Sequence, residues 1–276
     1  MVKKIAYGCL MGVFLFICSN TWAFVENVPS EGSFDGLIEP HLVVEVGSEV
    51  PGIINTVRKD RGDMVEAGQV LATLKSGVEQ ANLALAKARA EMESTIQVKK
   101  AALEFARRNG KRVKELYDAN ALAFQKWDET QTQTIMAENE LAQAMEQKIL
   151  YELEYRQAIE VVGRKTILSP VSGVVMERYL SKGEYVEDKP IFKIAQMTPL
   201  NVEVVLPVSQ MGSVKVGMKG TVTPEAPLNG RYEATVTIVD RVVDAASGTF
   251  GVRLEMPNPK YKITPGLKCK VFFHQP

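Results

Sequence analysis

Val50-Pro51-Gly52-Ile53-Ile54 and Val171-Ser172-Gly173-Val174-Val175 align at an offset of 121 residues, and the match continues without a gap. Gly62 falls on Gly183, Val65 on Val186, Glu66 on Glu187, Val70 on Ile191 and Leu71 on Phe192. Each copy reads as a short apolar strand, a glycine, a second apolar strand, a turn ending in glycine, and then a Val-Glu pair followed by a third strand. A unit of about 30 residues with three short strands cannot bury two faces alone, so the copies should pair into one small β-sandwich. The module comprises residues 42–75 and 166–195, and Val70 and Ile191 should both point into it.

Between the copies the apolar period changes from 2 to 3.5. Ser76-Gly77-Val78-Glu79 has the form of a capping box, which predicts a helix start. Two sevenfold series follow, Leu85, Met92, Lys99, Ala106, Val113 and Ala88, Thr95, Ala102, Asn109, Leu116. There is no proline from residue 52 to residue 169, and Gly110 is the only glycine between Gly77 and Gly163. Positions 78 to 117 would therefore make a rod of about 60 Å. After Tyr117-Asp118-Ala119-Asn120 the pattern resumes, with Ile135, Ala142 and Ile149 beside Glu138, Met145 and Ile159. Residues 76–165 are thus expected to form an antiparallel coiled-coil hairpin, and Gly163 is a plausible stop. Lys99, Thr95, Asn109 and Glu138 leave its seam thin, so both sides should be wet.

From Thr198 onward apolar and polar residues alternate again, most clearly at Tyr232–Ile238, Val252–Met256 and Leu267–Phe273. Asn258-Pro259 and Pro265-Gly266 mark turns. Five or six short antiparallel strands in residues 196–276 suggest a small closed barrel. Cys269 falls with its apolar set, as a buried inert thiol would.

The first 23 residues read as a secretory signal peptide: Lys3 and Lys4, an apolar stretch from Ile5 to Cys18, and the small-x-small pattern Thr21-Trp22-Ala23. The apolar run is shorter than the ~20 residues of a membrane span, and Ile17 is large for the position before a lipid-modified cysteine. A periplasmic protein beginning at Phe24 is expected, with residues 24–41 as an N-terminal extension. It would retain only Cys269 and could form no internal disulfide.

Composition narrows the chemistry. Lys plus Arg and Asp plus Glu number 33 each, with no long basic run, so nucleic acid is not an expected partner. Two histidines and three cysteines are few for nucleophilic or metal catalysis. Ser213 and Lys215, two residues apart, come with no oxyanion-hole motif, and no enzyme activity is expected.

Two half-motifs flanking a helical hairpin, followed by a small barrel, resemble the periplasmic adaptors, or membrane fusion proteins, of the HlyD-like and RND efflux type. The resemblance covers residues 42–276. Its most specific string is Val243-Asp244-Ala245-Ala246-Ser247-Gly248-Thr249-Phe250-Gly251-Val252-Arg253-Leu254, followed by Asn258-Pro259 and Pro265-Gly266-Leu267. It implies an elongated α+β chain: a split lipoyl-like barrel-sandwich hybrid, an inserted hairpin and a β-barrel. It also implies a homo-oligomer, trimer or hexamer, that bridges an inner-membrane transporter and an outer-membrane tunnel protein. The hairpin tip would meet the tunnel through Arg112, Leu116 and Ala123, where the family usually has Arg, Leu and Ser. Ala123 departs from that pattern and forgoes a helix cap. Many pump-linked members carry a further membrane-proximal β-domain, and none is expected here.

Two other readings remain open on the residues. A lipoyl or biotinyl carrier domain needs a lysine on the turn between its halves, but Val78 falls at that position and Lys75 is the only nearby candidate, so no cofactor is expected. A plain secreted coiled-coil scaffold explains the hairpin but not the repeat. Metal handling would rest on the 11 methionines, of which Met92 and Met145 fit the seam and Met256 a barrel interior.

Overall fold

The computed structural model describes residues 32–228 and 230–274, and the expected export signal lies outside them. Its first strand, β1 (Ser33–Val46), starts inside the segment read as an N-terminal extension. Gly36 and Pro40 conceal it in the sequence. Proline has no N–H to give a ladder, and the register shifts between Pro40 and Leu42, a bulge where that loss is tolerated. A Cβ on Gly36 would lie 3.1 Å from Cys269 Sγ, so the glycine allows close packing inside the barrel.

The first repeat copy forms β2 (Gly52–Val57), β3 (Met64–Val65) and β4 (Val70–Leu74). The second follows β5 (Thr166–Leu168) and forms β6 (Gly173–Arg178), β7 (Tyr185–Val186) and the start of β8 (Phe192–Pro207). The copies exchange their middle strands, since Gly52 of β2 pairs with Val186 of β7 while Gly173 of β6 pairs with Val65 of β3. This symmetry extends to single bonds. The Gly62 N–H donates to the Val175 carbonyl at 2.9 Å and the Gly183 N–H to the Ile54 carbonyl at 2.8 Å. Ser48 and Ser169 each donate a hydroxyl to the carbonyl two residues on, both at 2.6 Å. Gly62 and Gly183 hold φ of +91° and +93°, which explains the paired turn glycines.

Ile54, Val65 and Leu71 of one copy and Val175, Val186 and Phe192 of the other fill the sandwich core. Ile191 is buried as expected, but Val70 is only half-buried. A bulge between Val70 and Ala72 breaks the alternation, so Leu71 takes the interior position instead.

The insert forms α1 (Gly77–Ala90), α2 (Ser94–Asp118) and, antiparallel to both, α3 (Phe124–Gly163). The outgoing rod is broken at residues 91–93, before Ser94-Thr95-Ile96, three residues of modest helix propensity. The capping box does not form. Ser76 makes no cap bond; its hydroxyl accepts from Gln80 Nε2 at 2.9 Å. Glu79 Oε1 instead lies 3.1 Å from Lys165 Nζ. Its own backbone N–H and Lys165 hold its carboxyl below the usual range. With the Leu74 N–H bonded to the Lys165 carbonyl at 2.8 Å, entry and exit of the hairpin are tied together.

Lys99, Ala106 and Val113 lie along the seam as read, but the second outgoing series is Ile96, Leu103, Gly110 and Tyr117, one residue on from Thr95, Ala102, Asn109 and Leu116. On α3 the seam runs through Thr130, Thr134, Ala137, Leu141 and Ala144, leaving Ile135, Ala142 and Ile149 exposed. On α3, and at Gly110 opposite it, small residues decide this phase. They let the helices approach closely enough that a Cβ on Gly110 would lie 3.4 Å from Thr134 Oγ1. Ion pairs flank them: Glu93–Lys148 and Lys99–Glu140 at 2.9 Å and Arg107–Glu138 at 2.8 Å. Met92 and Met145, read as seam residues, are therefore exposed, whereas Met256 is buried in the barrel.

β9 (Lys219–Pro224), β10 (Tyr232–Val239), β11 (Thr249–Met256) and β12 (Lys268–Phe273) complete the chain. With β8 and β1 they form a barrel in the order β1-β12-β9-β10-β11-β8, closed by β1 on β8. The long β1 and β8 pair along the sandwich as well, from Val46 with Phe192 to Gly36 with Val204. Cys269 is buried, and loss of solvent pushes its thiol up to about 11. Asn258 also lies in the interior: its amide donates to the Met197 and Ile263 carbonyls at 3.0 and 2.9 Å and accepts from the Ile263 N–H at 3.0 Å.

Candidate docking site at the hairpin tip

Helix α2 ends in a reversal built by its own backbone. Asn120 takes the left-handed conformation, φ 52°. Its N–H donates to the Tyr117 carbonyl at 2.8 Å, and the Ala121 N–H donates to the Leu116 carbonyl at 2.9 Å. These two bonds make a Schellman motif with Leu116 three residues before the cap. Leu116 is therefore fixed by the turn while its side chain remains 47% exposed.

Arg112 lies one turn before Leu116 on the same flank, is exposed, and takes no part in the ion pairs that cross the seam. The seam itself passes through Val113 and Tyr117, so Arg112 and Leu116 stand beside it. A fixed cation and an apolar knob on one flank suit a partner surface that offers carbonyls or carboxylates next to an apolar hollow.

Ala123 stands across the turn as the N-cap of α3. Its backbone is extended, φ −70° and ψ 145°, and it makes no side-chain cap bond. Neither Asp118 nor Asn120 substitutes for the missing hydroxyl. Ala123→Ser should therefore stabilise the hairpin by about 1 kcal/mol, read from urea unfolding followed by helical circular dichroism. An unchanged midpoint would mean that water already satisfies those N–H groups.

The sequence reading missed a second feature of the tip. Tyr117 stacks on Trp127 with ring centroids 5.5 Å apart and planes 15° from parallel, and Phe124 tilts against Trp127, also at 5.5 Å. Trp127 Nε1 is buried without an acceptor among the described residues. Phe124 remains 58% exposed, a ring held on a stack in the first turn of α3. Three aromatics within eleven residues of a chain that is only 7% aromatic were the available signal.

The sequence matches the CzcB-like barrel-sandwich hybrid domain over residues 42–196 and the CusB-like beta-barrel domain over residues 200–276. It is 24% identical over 240 residues to the cobalt-zinc-cadmium resistance protein CzcB of Cupriavidus metallidurans, covering 87% of this chain and 43% of that one. It is 23% identical over 248 residues to the toluene efflux pump periplasmic linker protein TtgA of Pseudomonas putida, covering 84% of this chain and 58% of that one. The chain spans about half the length of the curated relatives it matches. Among solved structures, MacA from Actinobacillus actinomycetemcomitans superposes with a TM-score of 0.72 at 23% identity, over 89% of this chain and 81% of that one. At that identity the likeness speaks for the fold.

Proposed function

This chain belongs to the membrane fusion proteins, the adaptor family of efflux pumps, and from that membership we propose that it works in the periplasm as a bridge. One end engages an inner-membrane transporter, and the hairpin tip engages an outer-membrane tunnel protein. The working form is a homo-oligomer, trimer or hexamer, and its role is mechanical rather than catalytic. The observation that carries this reading is the tip itself, where a backbone-closed turn holds Leu116 and leaves Arg112 beside it without a seam partner.

The carrier-domain alternative has less support. Val78, at the position a carrier lysine would hold, lies in the first turn of α1, and the short turn that displays such a lysine is replaced by the hairpin.

Arg112→Glu tests the proposal. Export and in-cell cross-linking of the tip to the tunnel protein should be lost, with helicity, melting temperature and transporter association unchanged. A surface charge change away from special features alters stability by only about ±0.5 kcal/mol. Leu116→Ala cannot discriminate alone, because Leu116 also closes the turn. Normal export by Arg112→Glu at normal abundance would remove this residue from the docking site.

A further inference from the structure

The sandwich leaves two strand edges without partners, and both border one groove. Over Leu42–Val46, β1 pairs with β8 on one side, while β12 and the turn before it cover its other side only as far as Ile38. β5 pairs with β4 alone. The two edges are equivalents under the repeat. The offset of 121 sets Glu45 on Thr166 and Val46 on Ile167, and both Val46 and Ile167 are buried. Among the described residues no ladder or bridge joins β1 to β5. Between them lies a groove of about 560 Å³ whose apolar lining includes Val44, Ile167 and Pro170.

An unpaired edge is a template for another strand, and chains ordinarily blunt it with charge, proline or a covering element. β5 has none of these within Thr166–Leu168, and Leu42, Val43 and Leu168 are exposed apolar side chains along the two edges. The charge stands on the rim instead, and it is mostly of one sign. Glu45, Glu49 and Glu160 border the groove against the single cation Arg164. Glu45 lies 4.0 Å from Lys193, whereas Glu49 and Glu160 enter no ion pair among the described residues.

We propose that this groove takes one extended segment of a partner protein, with apolar and basic residues in alternation, by strand addition. Main-chain bonds to both edges supply affinity, and alternate side chains supply selectivity. Because successive side chains of a strand point to opposite faces, the apolar set rests on Val44 and Ile167 while the basic set meets the glutamates. The added strand would join the two sheets where they part, at the foot of the hairpin. The site lies about 60 Å along α3 from the tip, so it goes beyond the docking proposed there and does not depend on it.

The test uses the full chain and a labelled, end-blocked peptide of alternating valine and lysine, followed by fluorescence anisotropy and hydrogen exchange. The lysine peptide should bind at least tenfold more tightly than its valine–glutamate counterpart. It should also slow exchange in both residues 42–47 and residues 166–168. In an inserted strand successive N–H groups face opposite edges, so N-methylation of either the valine amides or the lysine amides alone should weaken binding at least tenfold. Glu49→Lys with Glu160→Lys should weaken it likewise at unchanged melting temperature. Equal binding by either methylated peptide would overturn insertion between two edges, and equal binding by the glutamate peptide would overturn the basic partner. No binding, or protection at only one strand, would remove the site. Protection of both edges without peptide that disappears on dilution would make a second copy the occupant and overturn the assignment.

Discussion

Leu71→Asp is expected to unfold the sandwich. Leu71 is fully buried among Ile54, Leu74, Val186 and Phe192, with no polar group of the cluster to receive a carboxylate. An unpartnered buried charge costs several kcal/mol, against a total stability of about 5–15 kcal/mol for a whole domain. Hydrogen exchange should report lost protection in residues 50–75 and 170–195 together, because the exchanged strands make the two copies one unit. Val70→Asp is the matched control. At the edge of its bulge Val70 is half-buried, so the same carboxylate should cost much less. A severe Val70→Asp and a mild Leu71→Asp would show the register to be wrong.

The second large effect lies in the barrel. Asn258→Asp keeps the shape of the side chain but sets a carboxylate against the Met197 and Ile263 carbonyls that now receive two N–H bonds. A buried charge without a partner costs on the order of 3–5 kcal/mol. Burial and the facing carbonyls raise the pKa of the new acid in the folded state above its unfolded value of about 3.9. The sign follows directly: below the unfolded value the acid is protonated in both states and can donate one bond. As pH rises through the raised folded value, ionisation favours the unfolded chain, and stability is lost. Asn258→Asp should therefore be markedly less stable than Asn258→Ala at pH 7, with the gap shrinking toward pH 4 in urea titrations. A pH-independent gap would mean that Asn258 is reached by solvent.

Much of this architecture could be read from residues because it is enforced locally. The repeat was legible because left-handed turns demand glycine at Gly62 and Gly183 and because each strand puts a large apolar residue inward. The tip reversal was legible at Tyr117–Asn120. What escaped was decided by tertiary partners. β1 holds a proline and a tight glycine that local rules count against a strand, yet β8 and β12 pair with it regardless. The seam phase was misread by one residue: on α3 large Ile135 and Ile149 were taken to mark the inside, whereas Thr130, Thr134, Ala137 and Ala144 do so, and on α2 a strict sevenfold count from Ala88 passed over Ile96 and Leu103. Ser76 and Glu79 have the spacing of a capping box, but Lys165, distant in sequence, captures the glutamate. At the tip, Arg112, Leu116 and Ala123 came from a family pattern. The aromatic stack left only a compositional trace, three aromatics in eleven residues, and its geometry emerges when Tyr117 and Trp127 are brought together across the turn.

The exchange of middle strands between the repeat copies also dictates an order of events as the chain folds. β2 has no partner in β7 until the chain is complete past Val186, so the first copy must wait with only its own β2–β4 pairing while more than a hundred residues follow it. Closing so long a loop from a random coil is slow, since loop entropy is lost before any long-range contact compensates for it. The hairpin shortens the wait. Its contacts begin at the turn around Asn120 and can zip outward, and when Glu79 meets Lys165 the two copies are neighbours. The coiled coil is then the chain's own assembly jig, and changes that loosen its base near Glu79 and Lys165 should slow refolding of a sandwich whose core they never touch.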